Sequence, residues 1–410
     1  MNTSGSQEDQ AAVPRRVLEL NLAHTSWYWV HRQNDPNRLQ FWLHQGRLLK
    51  GKKKTCVGID LTDISSSQWL SEASQDERRY VRTAKLGTPE ELDQIALMPE
   101  LEALECSGLQ EDQLQWVAEL GLPLHFLHLS WCHNIKDLEP LRALSDTLIR
   151  LVVSDCDRLV DLDAVGSLKK LQRFEMIDCD AVWEIDPLAL LKKLQRVVLR
   201  NCDAVRELGP IGELPELISL DLSRSDKIKN LGPLRTNTKL QALDLSECKS
   251  VRSIGALRAM RELQSLQLFG CRRCHDLRPI HNLPKLKKLS VPNIIEDGDL
   301  LGICINHPQL QQFHVRNCKK IEDLEPLKRM TEVRDLSLAG SPGVSDLSPI
   351  SELNKLVRLD LAFCPEIEDL TPLEGLGNLE DLYIGGCPKL SRNDITELEK
   401  ALPDCEIHTT

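Results

Sequence analysis

The sequence predicts an α/β solenoid, with a concave parallel β-sheet, short helices or 3-10 turns on the convex side, and a cap at each end. Three observations predict it. A skeleton L-x-x-L-x-L-x-x-C/S-x-x-I/V/L-x-x-L-x-P-L, which runs from Leu217 to Lys239, restarts at Leu124, Leu148, Leu171, Leu194, Leu240, Leu263, Leu310, Val333, Leu356 and Leu379; a period of roughly 23 residues marks stacked repeats. Leu220 and Leu222 alternate with Asp221 and Ser223, which puts the leucines on one face of a short strand and the polar pair on the other. One coil cannot bury its own leucines, so only stacking on its neighbours gives a dry core.

The run is similar to the leucine-rich repeat superfamily over most of the chain. Where most repeats of that superfamily carry Asn, this chain has Cys132, Cys156, Cys179, Cys202, Cys248, Cys271, Cys318, Cys364 and Cys387. The D-L-x-P-L segments at Asp137 to Leu141, Asp323 to Leu327, Asp346 to Ile350 and Asp369 to Leu373 resemble internalins and the leucine-rich regulators of protein phosphatases. The whole combination most resembles trypanosomatid leucine-rich repeat proteins, some labelled adenylate cyclase regulators. The resemblance implies a solenoid and leaves the ligand open, because repeats report architecture.

A solenoid lengthens without enlarging any one core, so 410 residues fit one elongated domain. A net charge of -11 disfavours a broad nucleic-acid or anionic-membrane footprint and favours protein partners. No stretch approaches the ~18 apolar residues of a membrane helix, and Met1 to Arg16 is polar, unlike a secretory or transit peptide. The expectation is a cytoplasmic protein, with Lys50 and Lys52 to Lys54 leaving the nucleus open. Nine of the fourteen cysteines share one inward position. Their Cα–Cβ vectors run parallel, so they read as buried thiols of a reducing compartment and not as disulfides.

In chain order, residues 1–14 lack periodicity and read as a disordered tail. Residues 15–55, with Trp27, Trp29 and Trp42, read as a β-rich aromatic cap over the open end, or as a separate binding domain. Residues 56–123 hold degenerate repeats in which Ile59, Leu61 and Ile64, then Val81, Thr83 and Leu86, then Leu101, Leu104 and Leu109 fit the inward positions. Thr88-Pro89-Glu90-Glu91 has the chemistry of a helix start, and a helix is expected from Glu111 to Leu120. Regular repeats fill 124–390. Their prolines (Pro140, Pro187, Pro210, Pro233 and Pro279) suit the first residue of a convex turn, and Asp137, Asp161, Glu184 and Glu207 favour its positive end. The coil at 286–309 is irregular, with Pro292 in the strand, Ile294 in place of Cys, and a helix from Asp299 to His307. Residues 391–410 form the C-terminal cap, a helix started by Asn393 or Asp394 and a last strand between Pro403 and Ile407.

Cys271-Arg272-Arg273-Cys274-His275 matches the haem-attachment pattern C-x-x-C-H. Register argues against it, since Cys271 and Cys274 both fall on inward columns. His125, His128, Cys132 and His133 are zinc-ligating types, yet register points them to different sides. No phosphate loop, nucleophile elbow or catalytic acid pair is present, so neither catalysis nor a metal, cofactor or small-molecule site is expected. What remains is the concave surface: a column of Arg150, Arg173 and Arg196, a neighbouring column with Glu175, Asp221 and Asp244, and the aromatics Trp131, Phe269, Phe363 and Tyr383. Stacked arginines repel and call for acidic neighbours or an acidic partner segment. The expected function is a non-enzymatic scaffold or complex subunit that binds a protein on its concave sheet. The alternatives are a regulator of a cyclase or phosphatase, carried by the resemblance, and a ribonucleoprotein component, disfavoured by charge.

Overall fold

The computed structural model describes residues 57–60, 70–79 and 81–409. Within them sixteen strands form one parallel sheet in which each strand pairs with the next in the chain. These are β1 (Val57–Asp60), β2 (Val81–Leu86), β3 (Ala103–Ser107), β4 (Phe126–Ser130), β5 (Arg150–Ser154), β6 (Arg173–Ile177), β7 (Arg196–Arg200), β8 (Ser219–Asp221), β9 (Ala242–Asp244), β10 (Ser265–Gln267), β11 (Lys288–Ser290), β12 (Gln312–His314), β13 (Asp335–Ser337), β14 (Arg358–Asp360), β15 (Asp381–Tyr383) and β16 (Glu406–His408). Coils are numbered here by their strands. Leu220, Leu243, Leu266 and Leu289 are successive register partners, and such rows build one core that runs from Leu70 to Leu402. The tail and aromatic cap expected over 1–55 lie outside the described residues.

The convex side is mostly 3-10 turns that open on proline, as at Glu139–Leu144, Gly232–Thr236 and Glu325–Arg329. The Asp of D-L-x-P-L starts them by a bond more local than a dipole. Oδ1 of Asp137, Asp323 and Asp369 accepts the N–H two residues on, at 3.0, 2.9 and 2.8 Å, an Asx turn. Glu184 and Glu207 make no such bond, because the extra methylene carries their carboxylates past it. True helices are α1 (Gln75–Arg78), α2 (Glu111–Glu119), α3 (Gly209–Gly212), α4 (Asp297–Asn306) and α5 (Arg392–Ala401); α3 is a single turn that opens on Pro210 within a regular repeat, and the others stand where the proline pattern is absent.

Several expectations need correction. In β2 the buried residues are Val81, Ala84 and Leu86, not Thr83. Ala84 pairs with Leu104, and an alanine on the leucine column is easily missed. The helix start expected at Thr88 is present, with Pro89 in its first turn and Glu91 closing the capping box, and the helix it opens is of the 3-10 kind, Pro89–Leu97. In coil 11 the strand stops at Ser290, before Pro292, and the residue buried in place of cysteine is Ile295, not Ile294. The α5 cap is Ser391, whose Oγ accepts from the Asp394 N–H at 3.3 Å while Asp394 accepts from the Ser391 N–H at 2.7 Å.

Two columns shape most of the coils. The residue before the Cys position has positive φ in coil after coil: Trp131, Asp155, Asp178, Asn201, Arg224, Glu247, Asn317 and Phe363, with Gly108, Gly270, Gly340 and Gly386 in the same role. There the strand turns toward the convex side. The Cys position itself is a donor. Cys248 Sγ donates to the Leu222 carbonyl at 2.9 Å and Cys271 to Leu245 at 3.0 Å; Ser225 and Ser341 donate to Leu199 and Val315 in the same way, at 2.8 and 3.2 Å.

Candidate protein-binding surface

Register aligns Arg150, Arg173 and Arg196 side by side on the concave face. For Arg150 the repulsion is answered inside the sheet. Arg150 meets Glu175 at 2.9 Å and lies 5.0 Å over the ring of Phe126, a cation–π contact. Phe126 is buried with Ala103 and Val152 in a small apolar cluster on the outward columns, a group absent from the sequence-based site. Arg200, also unanticipated, pairs with Asp221 at 2.5 Å and reaches Ser223 at 3.2 Å. Arg196 is exposed and its guanidinium makes no ion pair among the described residues.

Asp221 and Asp244 have a backbone role. Each accepts the N–H two residues on, from Ser223 at 2.9 Å and Ser246 at 2.8 Å, which ends the strand early. This fits the shortening of the strands from five residues in β7 to three in β8 and β9. Burial raises the Asp244 carboxyl above its usual value, and the Ser246 bonds oppose that.

Toward the C-terminal end the same columns carry linked pairs. Arg316 Nε donates to Ser337 Oγ at 2.7 Å, which donates to Asp360 at 2.8 Å. His314 lies 3.3 Å from Asp335 and holds that carboxyl below its usual value. Arg358 meets Asp381 at 3.0 Å, and Tyr383 stacks on His408 at 4.3 Å. Asp381, Glu406 and His408 bring three ligand-type atoms within 4.8 Å of one another. Sequence reasoning passed over this group because Asp381 on β15 meets Glu406 and His408 on β16 only through strand register. The Arg358 guanidinium already occupies Asp381, which opposes a cation there.

The four aromatics do not converge. Trp131 and Phe363 hold the positive-φ positions of coils 4 and 14, 56% and 70% exposed; Phe269 is half-buried in coil 10 and Tyr383 half-buried in coil 15.

Against solved structures, the chain is similar to an internalin (inlF) from Listeria monocytogenes, at 21% identity and a TM-score of 0.57 over 79% of this chain and 84% of that one. It is also similar to a leucine-rich repeat protein of Leptospira interrogans, at 17% identity and a TM-score of 0.54 over 86% and 100%. The fold is the leucine-rich repeat solenoid. No protein-family model matches the chain, nor does any curated protein sequence.

In this leucine-rich repeat frame the motif readings resolve. Cys271 and Cys274 are both fully buried, so neither thiol can reach a porphyrin, while His275 is exposed on the turn. The would-be zinc set is dispersed: His128 pairs with Glu105 at 3.8 Å and Ser154 at 3.1 Å, His133 with Asp157 at 3.1 Å, and Cys132 is buried. The cysteines of the repeat column are free thiols. Burial pushes Cys248 and Cys318 up to about 12. No helix among the described residues is long and apolar enough to cross a membrane.

Proposed function

We propose that the protein is a non-enzymatic interaction scaffold, a subunit of a larger assembly, that holds a protein partner on its concave sheet. The observation that supports this reading is the exposed edge of the arginine column. Arg150 is neutralised by Glu175, whereas Arg196 stands beside Arg173 in register with no carboxylate of its own. Such a site suits an acidic segment of the partner, since a planar guanidinium grips a carboxylate through two hydrogen bonds. A parallel sheet of sixteen strands is a rigid platform, so little ordering entropy opposes docking on it. Purification of the full chain from its native source tests the reading. A stoichiometric protein partner released by salt supports it; a protein that runs alone under all salt conditions, or whose partner is nucleic acid, contradicts it.

A further inference from the structure

The lateral edge and convex turn of each coil run from the positive-φ position, through the Cys position, to the end of the 3-10 segment. In coils 8 to 10 this stretch is residues 224–236, 247–259 and 270–282, and it holds ten Lys or Arg against Asp226, Glu247 and Asp276 alone. The equivalent stretch of coils 5 to 7, residues 155–167, 178–190 and 201–213, holds eleven Asp or Glu against Arg158 and Arg206. Coil 11 follows with Glu296, Asp297 and Asp299 and no Lys or Arg over 293–305. In a chain of net charge -11, three adjacent coils therefore carry a basic face bounded on both sides by acidic ones.

Most of that charge is unanswered within the chain. Asp226 pairs with Lys249 at 3.2 Å and Asp276 with Arg278 at 2.8 Å, while the Glu247 carboxylate lies over Gly270 of the next coil. The other eight cations, Arg252, Arg272 and Arg273 among them, are exposed and make no ion pair among the described residues. The register of β8, β9 and β10 sets Lys229 beside Arg252, and Lys249 beside Arg272, in successive coils. Like charges stacked at about 4.8 Å repel, and a bound anion relieves them.

We infer that this face docks a short carboxylate-rich segment of a protein partner. Six of the eight unpaired cations are arginines, whose planar forks grip carboxylates through paired hydrogen bonds. Three coils at about 4.8 Å give a face roughly 15 Å wide, which about five extended residues span. A long polyanion laid along this edge would run on to the acids of coils 5 to 7 or of coil 11, so a short segment fits where a nucleic acid or an anionic membrane is repelled. The three basic stretches also contain no Trp, Tyr or Phe, and single-stranded nucleic acid is held by stacking on such rings as well as by charge. The choice of a protein rests on the scaffold reading above. The face lies off the concave sheet, however, so each contact stands or falls by its own residues.

The test is fluorescence anisotropy of a labelled octaglutamate peptide titrated with the full chain at about 0.05 and 0.5 M salt, where the range of a charge differs several-fold. Binding that octaglutamine lacks, and that weakens with salt, is expected. Arg252→Glu/Arg272→Glu/Arg273→Glu should weaken it at least about ten-fold, whereas Arg173→Glu/Arg196→Glu on the concave sheet should leave it within about two-fold. If the reversed variant fails to fold by circular dichroism, Arg252→Gln/Arg272→Gln/Arg273→Gln keeps the test open; it too should weaken binding. No binding by the wild-type chain, or equal affinity in the folded edge variant, would overturn the inference. Loss in the concave variant alone would overturn it too, while leaving the concave reading in place. Tighter binding of a polyuridine of about thirty nucleotides than of octaglutamate, or capture of the chain by phosphatidylserine vesicles, lost in the edge variant in either case, would give the face a different occupant and contradict the inference.

Discussion

The ring of Phe363 occupies the space in which a side chain on Gly386 would begin: a Cβ there would lie 2.5 Å from the ring's Cδ1. The two residues hold the same position in coils 14 and 15, both at positive φ. The bulky residue of one coil therefore leans on the glycine of the next.

Gly386→Ala should destabilise the C-terminal coils by about 1 kcal/mol from the positive φ alone, and by more while the ring is in place. In urea unfolding monitored at the C-terminal coils, the cost of Gly386→Ala should be smaller in a Phe363→Ala background. Equal costs in both backgrounds would show that the ring is not in contact.

Those positive-φ residues show what the sequence hid. The spacing of Leu220 and Leu222 and the recurrence of cysteine made the solenoid, its inward columns and its buried thiols legible before any coordinates. The position before the cysteine looked arbitrary, because Trp131, Asp155, Arg224, Glu247 and Phe363 share no side-chain chemistry. They share a backbone conformation. For the same reason Asp221 and Asp244 read as binding residues on alternation alone, although each caps an N–H two residues on. Ion pairs between coils, such as Arg150 with Glu175 and Arg200 with Asp221, need the register of neighbouring strands. Side-chain reach across that register is not a property of one repeat.

Cys248→Ser should be tolerated better than Cys248→Ala, since Ser225 shows that a hydroxyl donates as the thiol does. Alanine loses both the donor and some volume, at about 1–2 kcal/mol. Cys248→Asp should prevent folding of the central coils, because it buries an unpaired charge. Chemical denaturation of the three variants orders them; alanine ranking above serine would contradict the donor role.

Alkaline pH should unfold the protein. Burial pushes Cys248 and Cys318 up to about 12 and Cys364 up to about 11, whereas the unfolded thiols ionise near their usual value of about 8.5. Their contribution is complete below that value and is lost as pH rises toward the folded values, each thiol removing about 1.4 kcal/mol per pH unit. The melting temperature should fall steeply above pH 9. A bulky thiol reagent at pH 8 should modify few of the described cysteines, Cys405 first because it alone of them is half-buried rather than buried. Rapid modification of the whole column in the native state would contradict this.

Mild acid should loosen coil 11. His307 is fully buried, its Nε2–H donates to the Ile280 carbonyl at 3.0 Å, and the Gln309 amide donates to Nδ1 at 3.4 Å. Burial holds this imidazole below its usual value of 6.5. The unfolded state then takes up the proton first, so stability is complete above about pH 6.5 and declines below it. The melting temperature should drop between pH 7.5 and 5.5, and the drop should shrink in His307→Gln. An unchanged drop would place its source elsewhere.

The concave-face scaffold is tested most directly by the affinity of the co-purifying partner for Arg173→Glu/Arg196→Glu, compared with Lys192→Glu/Lys193→Glu off that face. The account predicts that the concave pair weakens binding by at least about ten-fold, with salt producing a graded version of the same loss, while the control pair and the fold are unaffected. Equal loss from both pairs, or full affinity in the concave variant, would contradict it.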